Sequence, residues 1–111
     1  MAVGALGLGS NTVAQASDSS CPAYNVCFWQ SYGYQGPRIV FGASHAEKWI
    51  YFQYGRTATK NRFTDRLVFT YNVQYGSLGC YDPGESNSYG LTHTTAFYIS
   101  APGARCWAWG L

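Results

Sequence analysis

The chain is expected to fold as an all-β sandwich or barrel stapled by disulfides, and three observations lead there. Alternating apolar and polar residues, broken by Gly, Pro, Asn and Ser, cut most of the 111 residues into short segments. No stretch carries the i, i+3, i+4 periodicity of an amphipathic helix. Four cysteines are present, and the first two, Cys21 and Cys27, bracket a proline-led turn that opens the apolar run Val26 to Trp29.

Taken in order, the strands are expected near Val26–Gln30, Arg38–Phe41, Trp49–Tyr54, Arg66–Asn72, Ser77–Tyr81, Ala96–Ser100 and Arg105–Trp109. In the fourth, Leu67, Phe69, Tyr71 and Val73 share one face, with Arg66, Val68, Thr70 and Asn72 on the other, so that one side meets the core. Helix-compatible residues occur only at Ala43–Lys48, where Ser44 and Glu47 have the spacing of a capping box around a single turn. Residues 82–90, Asp-Pro-Gly-Glu-Ser-Asn-Ser-Tyr-Gly, form the longest turn-rich stretch. Pro83-Gly84 favours a tight reversal at its start, which makes the segment a surface loop anchored by Cys80.

Residues 1–17 are expected to be a secretory signal peptide and 18–111 the single domain. The small apolar run Ala2–Gly9 precedes Ala14-Gln15-Ala16, an A-x-A cleavage pattern, although no Lys or Arg comes before it and the start falls inside a longer signal on this reading. The run is too short to span a bilayer. A secreted domain of this size gains much from cross-links. Four cysteines allow three pairings, which sequence does not decide by itself. The expected set is Cys21–Cys27, closing one short turn, and Cys80–Cys106, stapling the late strands; a crosswise set would tie the first hairpin to the end of the domain. Zinc is disfavoured because neither paired Cys-x2-Cys spacings nor nearby histidines occur.

Within the first strand Trp29, four residues, then Tyr34-x-Gly36 makes an aromatic-x4-aromatic-x-Gly pattern. It resembles the folded hairpin of βγ-crystallin Greek keys, in which the first aromatic packs over the hairpin and the glycine adopts a conformation that a Cβ opposes. Together with the Cys-Pro-x4-Cys lead-in, it is similar to the secreted actinobacterial peptidase inhibitors of family I36, which include a metalloprotease inhibitor. The resemblance implies a βγ-crystallin-like Greek-key sandwich and an inhibitory function. Lys60-Asn61-Arg62-Phe63-Thr64-Asp65 stands where crystallin-like modules carry a calcium motif; Asn61 and Thr64 fit it, and Asp65 adds a carboxylate, making these three a weak calcium candidate. In the second expected key, Tyr71–Gly79, Ser77 replaces an aromatic.

Composition narrows the function classes. A net charge of +2 with 11% charged residues disfavours a nucleic-acid partner, and Arg56, Lys60, Arg62 and Arg66, interleaved with Asn61, Phe63 and Asp65, read as a solvated loop and strand edge. Membrane binding by a basic helix lacks any supporting segment. Catalysis is not expected: His45, His93, Asp18, Asp65, Asp82, Glu47 and Glu85 form no nucleophile, base and orienter set, and no hydrolase elbow, zinc pair or phosphate loop occurs. Aromatic residues reach 18%, with ten tyrosines, more than a small core buries; most are expected to lie half-buried over hairpins, the remainder exposed for protein or sugar contact.

Two functions remain. The first is a secreted, monomeric peptidase inhibitor, needing no cofactor, that offers a disulfide-tethered loop to a secreted protease. The resemblance suggests a metalloprotease target, with Cys80, Tyr81, Asp82, Pro83 and Gly84 as the contact segment. The second is a non-inhibitory crystallin-like module that binds calcium, glycan or a competitor's surface.

Overall fold

A computed structural model describes residues 19–90 and 93–109. The expected signal segment 1–17 lies outside the described residues. Eight strands follow one another: β1 Asn25–Ser31, β2 Gln35–Gly42, β3 Trp49–Arg56, β4 Ala58–Asn61, β5 Val68–Asn72, β6 Gly76–Tyr81, β7 Ser86–Asn87 and β8 Thr94–Ile99. They form two four-stranded antiparallel sheets, ordered β2-β1-β4-β7 and β3-β8-β5-β6. Each half of the chain therefore lends its third strand to the other half's sheet: β3 leaves β1, β2 and β4 for the second sheet, and β7 leaves β5, β6 and β8 for the first.

The core lies between the sheets and is mostly aromatic. Phe28 is fully buried and meets Phe97 at 4.6 Å and Phe52 at 4.9 Å between ring centroids, with Phe41 at 4.7 Å from Phe97. Val26, Phe63, Val68 and Ile99 fill the space around these rings. Burial of one such side chain stabilises by roughly 1.5–3 kcal/mol, so this cluster is the main apolar contribution to folding. In β5 the buried face is Val68, Thr70 and Asn72, while Phe69 and Tyr71 turn outward and meet Trp49 at 6.0 and 5.7 Å. Trp49 and Tyr98 contribute from β3 and β8, whose pairing sets the four rings on one outer face.

Alternation along β1 sends Val26 and Phe28 inward and Cys27 and Trp29 to the outer face. Trp29 is nevertheless fully buried, because the β1–β2 hairpin folds back over it and places Tyr34 edge-on at 5.1 Å. The Lys60 ammonium lies 4.2 Å from the Tyr34 ring centroid and 5.7 Å from that of Trp29, adding a cation–π contact. The fold-back uses left-handed backbone at Gly33, Tyr34 and Gly36, with φ of 67°, 59° and 80°. At Gly36 a Cβ would also come within 3.2 Å of Ser31 Oγ.

Several expectations need correction. Residues 105–109 are no strand: after Pro102-Gly103 turns the chain, Cys106–Trp109 form a 3-10 turn held by the disulfide to Cys80. Ser44 does not cap the Ala43–His45 turn, since its Oγ faces His45 Nδ1 and the cap residue is Gly42. Glu47 has φ 62° and its N–H donates to Ile99 C=O, so no capping box closes. Strands β4 and β7 were not anticipated. The basic stretch is solvated only in part: Arg62 is exposed and Lys60 and Arg66 are half-buried, but Arg56 is buried over Phe52, Lys60 covers Tyr34, and Arg62 and Arg66 donate to the carbonyls of Cys21 and Ser100. Burial pushes the Arg56 guanidinium below its ordinary pKa by desolvation. Six of the ten tyrosines, Tyr24, Tyr32, Tyr51, Tyr54, Tyr75 and Tyr89, are exposed rather than half-buried.

Replacing Gly36 with alanine is expected to destabilise the domain by about 1–2 kcal/mol, the cost of left-handed backbone for an L-residue, before any clash with Ser31. Urea unfolding that gave Gly36→Ala the stability of the parent would show that the hairpin tolerates another backbone path.

Candidate functional site

The loop that follows β6 is built from residues that favour one geometry. Pro83 fixes φ at the second position of a turn and Gly84, with φ 87°, supplies the left-handed third position, so Asp82–Glu85 close a type II-like reversal. The Glu85 N–H donates to Asp82 C=O at 3.0 Å, and the Glu85 side chain accepts from the Asp82 N–H at 2.7 Å. Asn61 grips the turn from β4: its C=O accepts from the Gly84 N–H at 3.0 Å and its N–H donates to Glu85 C=O at 2.9 Å. Asp82 Oδ1 in turn accepts from the Cys106 N–H at 2.9 Å.

The Cys80–Cys106 disulfide ties the last residues of β6 to the 3-10 turn, with Cα atoms 5.7 Å apart, and Cys21–Cys27 joins the entry segment to β1 at 5.8 Å. Both pairings are those expected from the sequence. Beyond Glu85, Ser86 and Asn87 pair with Lys60 and Thr59 as the edge of the first sheet. The Ser88 C=O accepts from the Gly33 N–H, Tyr89 packs on Tyr32 with centroids 4.3 Å apart, and the Gly90 N–H donates to Thr57 C=O. The loop is thus pinned at its base, along its length and at its far end.

Of the expected contact residues, Cys80 and Tyr81 close an edge strand and Asp82, Pro83 and Gly84 continue into the turn, so all five form one continuous ridge. Gly84 and Glu85 stand exposed at its crest, while the half-buried Tyr81 side chain packs against the core. The sequence did not signal Glu85 as the side chain that closes the turn, nor Asn61 as its anchor. An acid at each end of Asp82-Pro-Gly-Glu85 was the available clue.

The calcium candidates are placed differently from one another. The fully buried Asn61 side chain donates to the carbonyls of Arg66 and Tyr81 and accepts from the Phe63 N–H, whereas Thr64 and Asp65 are exposed. A cation at Asn61 would compete with the Phe63 amide for the same oxygen. Among the described residues, Asp82, Glu85 and Cys106 also bring potential ligand atoms within 4.8 Å of one another. The sulfur there is bonded to Cys80, and each carboxylate already accepts a backbone N–H. His45 rests edge-on against Phe41 at 5.2 Å and His93 is exposed, so the two histidines lie on different elements without a shared acid–base set.

Residues 14–77 match the model of peptidase inhibitor family I36, more than half of the chain. The chain belongs to that family. Membership makes it a non-enzymatic protein of the peptidase-inhibitor type. No curated protein and no solved structure matches it. The matched region ends at Ser77 in β6, so the ridge at 80–84 lies outside it. Among the described residues no helix is long and apolar enough to cross a membrane.

Replacing Cys80 and Cys106 together with serine is expected to cost roughly 3–4 kcal/mol in the chain-entropy account, and the Cys21/Cys27 pair about 2 kcal/mol because it closes a shorter loop. Denaturant titration of the two double variants checks the order. Millimolar calcium is expected to leave the melting temperature unchanged, because binding to the native state alone would raise it; a calcium-dependent rise reversed by chelator would mean that Asn61 exchanges its internal bonds for a ligand.

Proposed function

We propose that this protein is a secreted inhibitor of metalloproteases, that residues 1–17 are removed on export, and that the ridge Cys80–Gly84 enters the active-site cleft. The observation that carries the reading is the turn fixed from three directions, by its own Asp82–Glu85 bonds, by Asn61 and by the disulfide. A segment held in one shape loses little conformational entropy when it docks, so more of its contact energy appears as affinity. Membership of the inhibitor family supplies the protease as partner.

The position of β6 supports a substrate-like mode. It is the outermost strand of its sheet, extended and leading directly into the turn. An extended edge segment can pair its backbone with a strand of a protease cleft, while side chains at alternate positions select the enzyme. The metalloprotease target rests on the resemblance alone, because the Tyr81 side chain that follows Cys80 packs against the core. The exchange of β3 and β7 between the sheets supports reading the domain as paired Greek keys of the crystallin type.

The test is a titration of the domain against panels of secreted metallo- and serine proteases. Stoichiometric inhibition of at least one metalloprotease is expected. Glu85→Ala, which removes the acceptor for the Asp82 N–H, should weaken inhibition by about tenfold, in line with one charge-assisted hydrogen bond. Tyr75→Ser, in the exposed hairpin at the opposite end of β6, should leave it unchanged. Absence of inhibition of every protease at micromolar protein would favour the binding-module function.

A further inference from the structure

The ridge is rigid but offers little side-chain surface of its own. Gly84 has no side chain, Asp82 and Pro83 are half-buried, and the Tyr81 ring packs against the core. A stable interface of standard size covers roughly 800 Å² on each partner, about 20–30 residues a side. A partner seated on the ridge must therefore cover its surroundings as well.

Trp107 stands in those surroundings. At 80% exposure it is the most exposed large apolar side chain among the described residues, whereas tryptophan is highly buried on average in folded proteins. Core packing does not account for its position. The ridge does: the preceding residue, Cys106, is bridged to Cys80 and donates its N–H to Asp82 Oδ1 at 2.9 Å. Consecutive Cα atoms lie about 3.8 Å apart, so the indole begins within one side chain's reach of the turn. Between Cys106 and β6 the surface dips into a depression of about 330 Å³, walled by Ser77, Leu78, Gly79, Cys80 and Cys106 with no charged side chain. The edge strand, the disulfide and the tryptophan turn thus share one surface.

We infer that Trp107 is the apolar anchor of the inhibitory interface, and that its partner is a protease with an apolar pocket of indole size beside the active-site cleft. On the inhibitory reading, on which this rests, Trp107 supplies affinity and selects among enzymes. Tryptophan is enriched among the few residues that carry most of an interface's binding energy, because a large, rigid ring is desolvated for few frozen bonds. One bridge and one hydrogen bond hold the backbone at Cys106 before any partner arrives, and neither engages the indole. The turn is 3-10 rather than extended, so the indole flanks the cleft while β6 keeps the substrate-like position. Trp107 lies outside the matched residues 14–77, and membership of the family assigns it no role.

Inhibition constants of the parent, Trp107→Ala, Trp107→Phe and Tyr51→Ala against the protease panel, with a melting temperature for each, test the assignment. Trp107→Ala is expected to weaken inhibition by about 30-fold or more and to melt like the parent, with Trp107→Phe in between. Tyr51→Ala, also exposed but on the opposite edge strand of the same sheet, should inhibit like the parent. The Trp107 indole N–H resonance should shift when catalytically inactivated protease is added and stay fixed when the protein alone is concentrated. Inhibition by Trp107→Ala equal to the parent's would overturn the anchor and leave the inhibitory reading intact. A loss accompanied by a lower melting temperature would make the ring structural, and a resonance that moves with the protein's own concentration would mark a contact between two copies; either result overturns the anchor. No inhibition by the parent itself would overturn both.

Discussion

The buried carboxamide of Asn61 is the contact through which most of the structure is held in register. Its side chain reaches the carbonyls before β5 and at the end of β6 and accepts the Phe63 amide, while its own backbone receives and donates to the Gly84–Glu85 turn. One residue at the end of β4 therefore joins both sheets and the ridge. Buried polar groups of this kind specify a single arrangement because any other leaves donors and acceptors unpaired in a low-dielectric interior. An apolar residue of similar size would keep the two backbone bonds to the turn but satisfy none of the three backbone groups that the carboxamide holds.

Around that junction the two faces of β1 have separate roles. The inward face contributes Phe28 and Val26 to the aromatic core, and the outward face contributes Trp29 to a second cluster sealed by the fold-back of Tyr34 and by the short disulfide. The outer cluster needs a roof because an exposed tryptophan on a sheet face would invite association. Lys60 supplies part of that roof, and its amine also donates to the Ser19 carbonyl, so the charge that might have marked a nucleic-acid surface is spent on covering apolar rings.

Much of the fold was legible in the sequence, for identifiable reasons. The strands containing Phe28, Phe69 and Phe97 announce themselves by alternation, and the Trp29, Tyr34, Gly36 hairpin by a left-handed glycine after paired aromatics. β4 escaped because Ala-Thr-Lys-Asn has no apolar period; its strand conformation comes from pairing with β1 and from Asn61. β7 escaped because two polar residues in a turn-rich stretch become a strand only by docking on β4. Residues 105–109 misled in the other direction, since Cys106 is placed by its bridge and by Asp82 rather than by local alternation. The ridge was visible as Pro83-Gly84, but what immobilises it comes from Asn61, twenty-one residues earlier than Asp82, a separation that no local pattern records.

The exchange of third strands also governs how the chain comes together. The first sheet lacks its last strand until Ser86 and Asn87 exist, and the second cannot pair β3 until β8 has been made. Neither half can complete its own hydrogen bonding, so the polypeptide has no natural stopping point between its two quartets. During synthesis the early strands must wait for the late ones, with Trp49 and Ile50 held out of their final pairing until Tyr98 and Phe97 arrive. The same interlock means that the finished domain opens as one unit, and a protease that cuts between its halves releases no independently folded fragment.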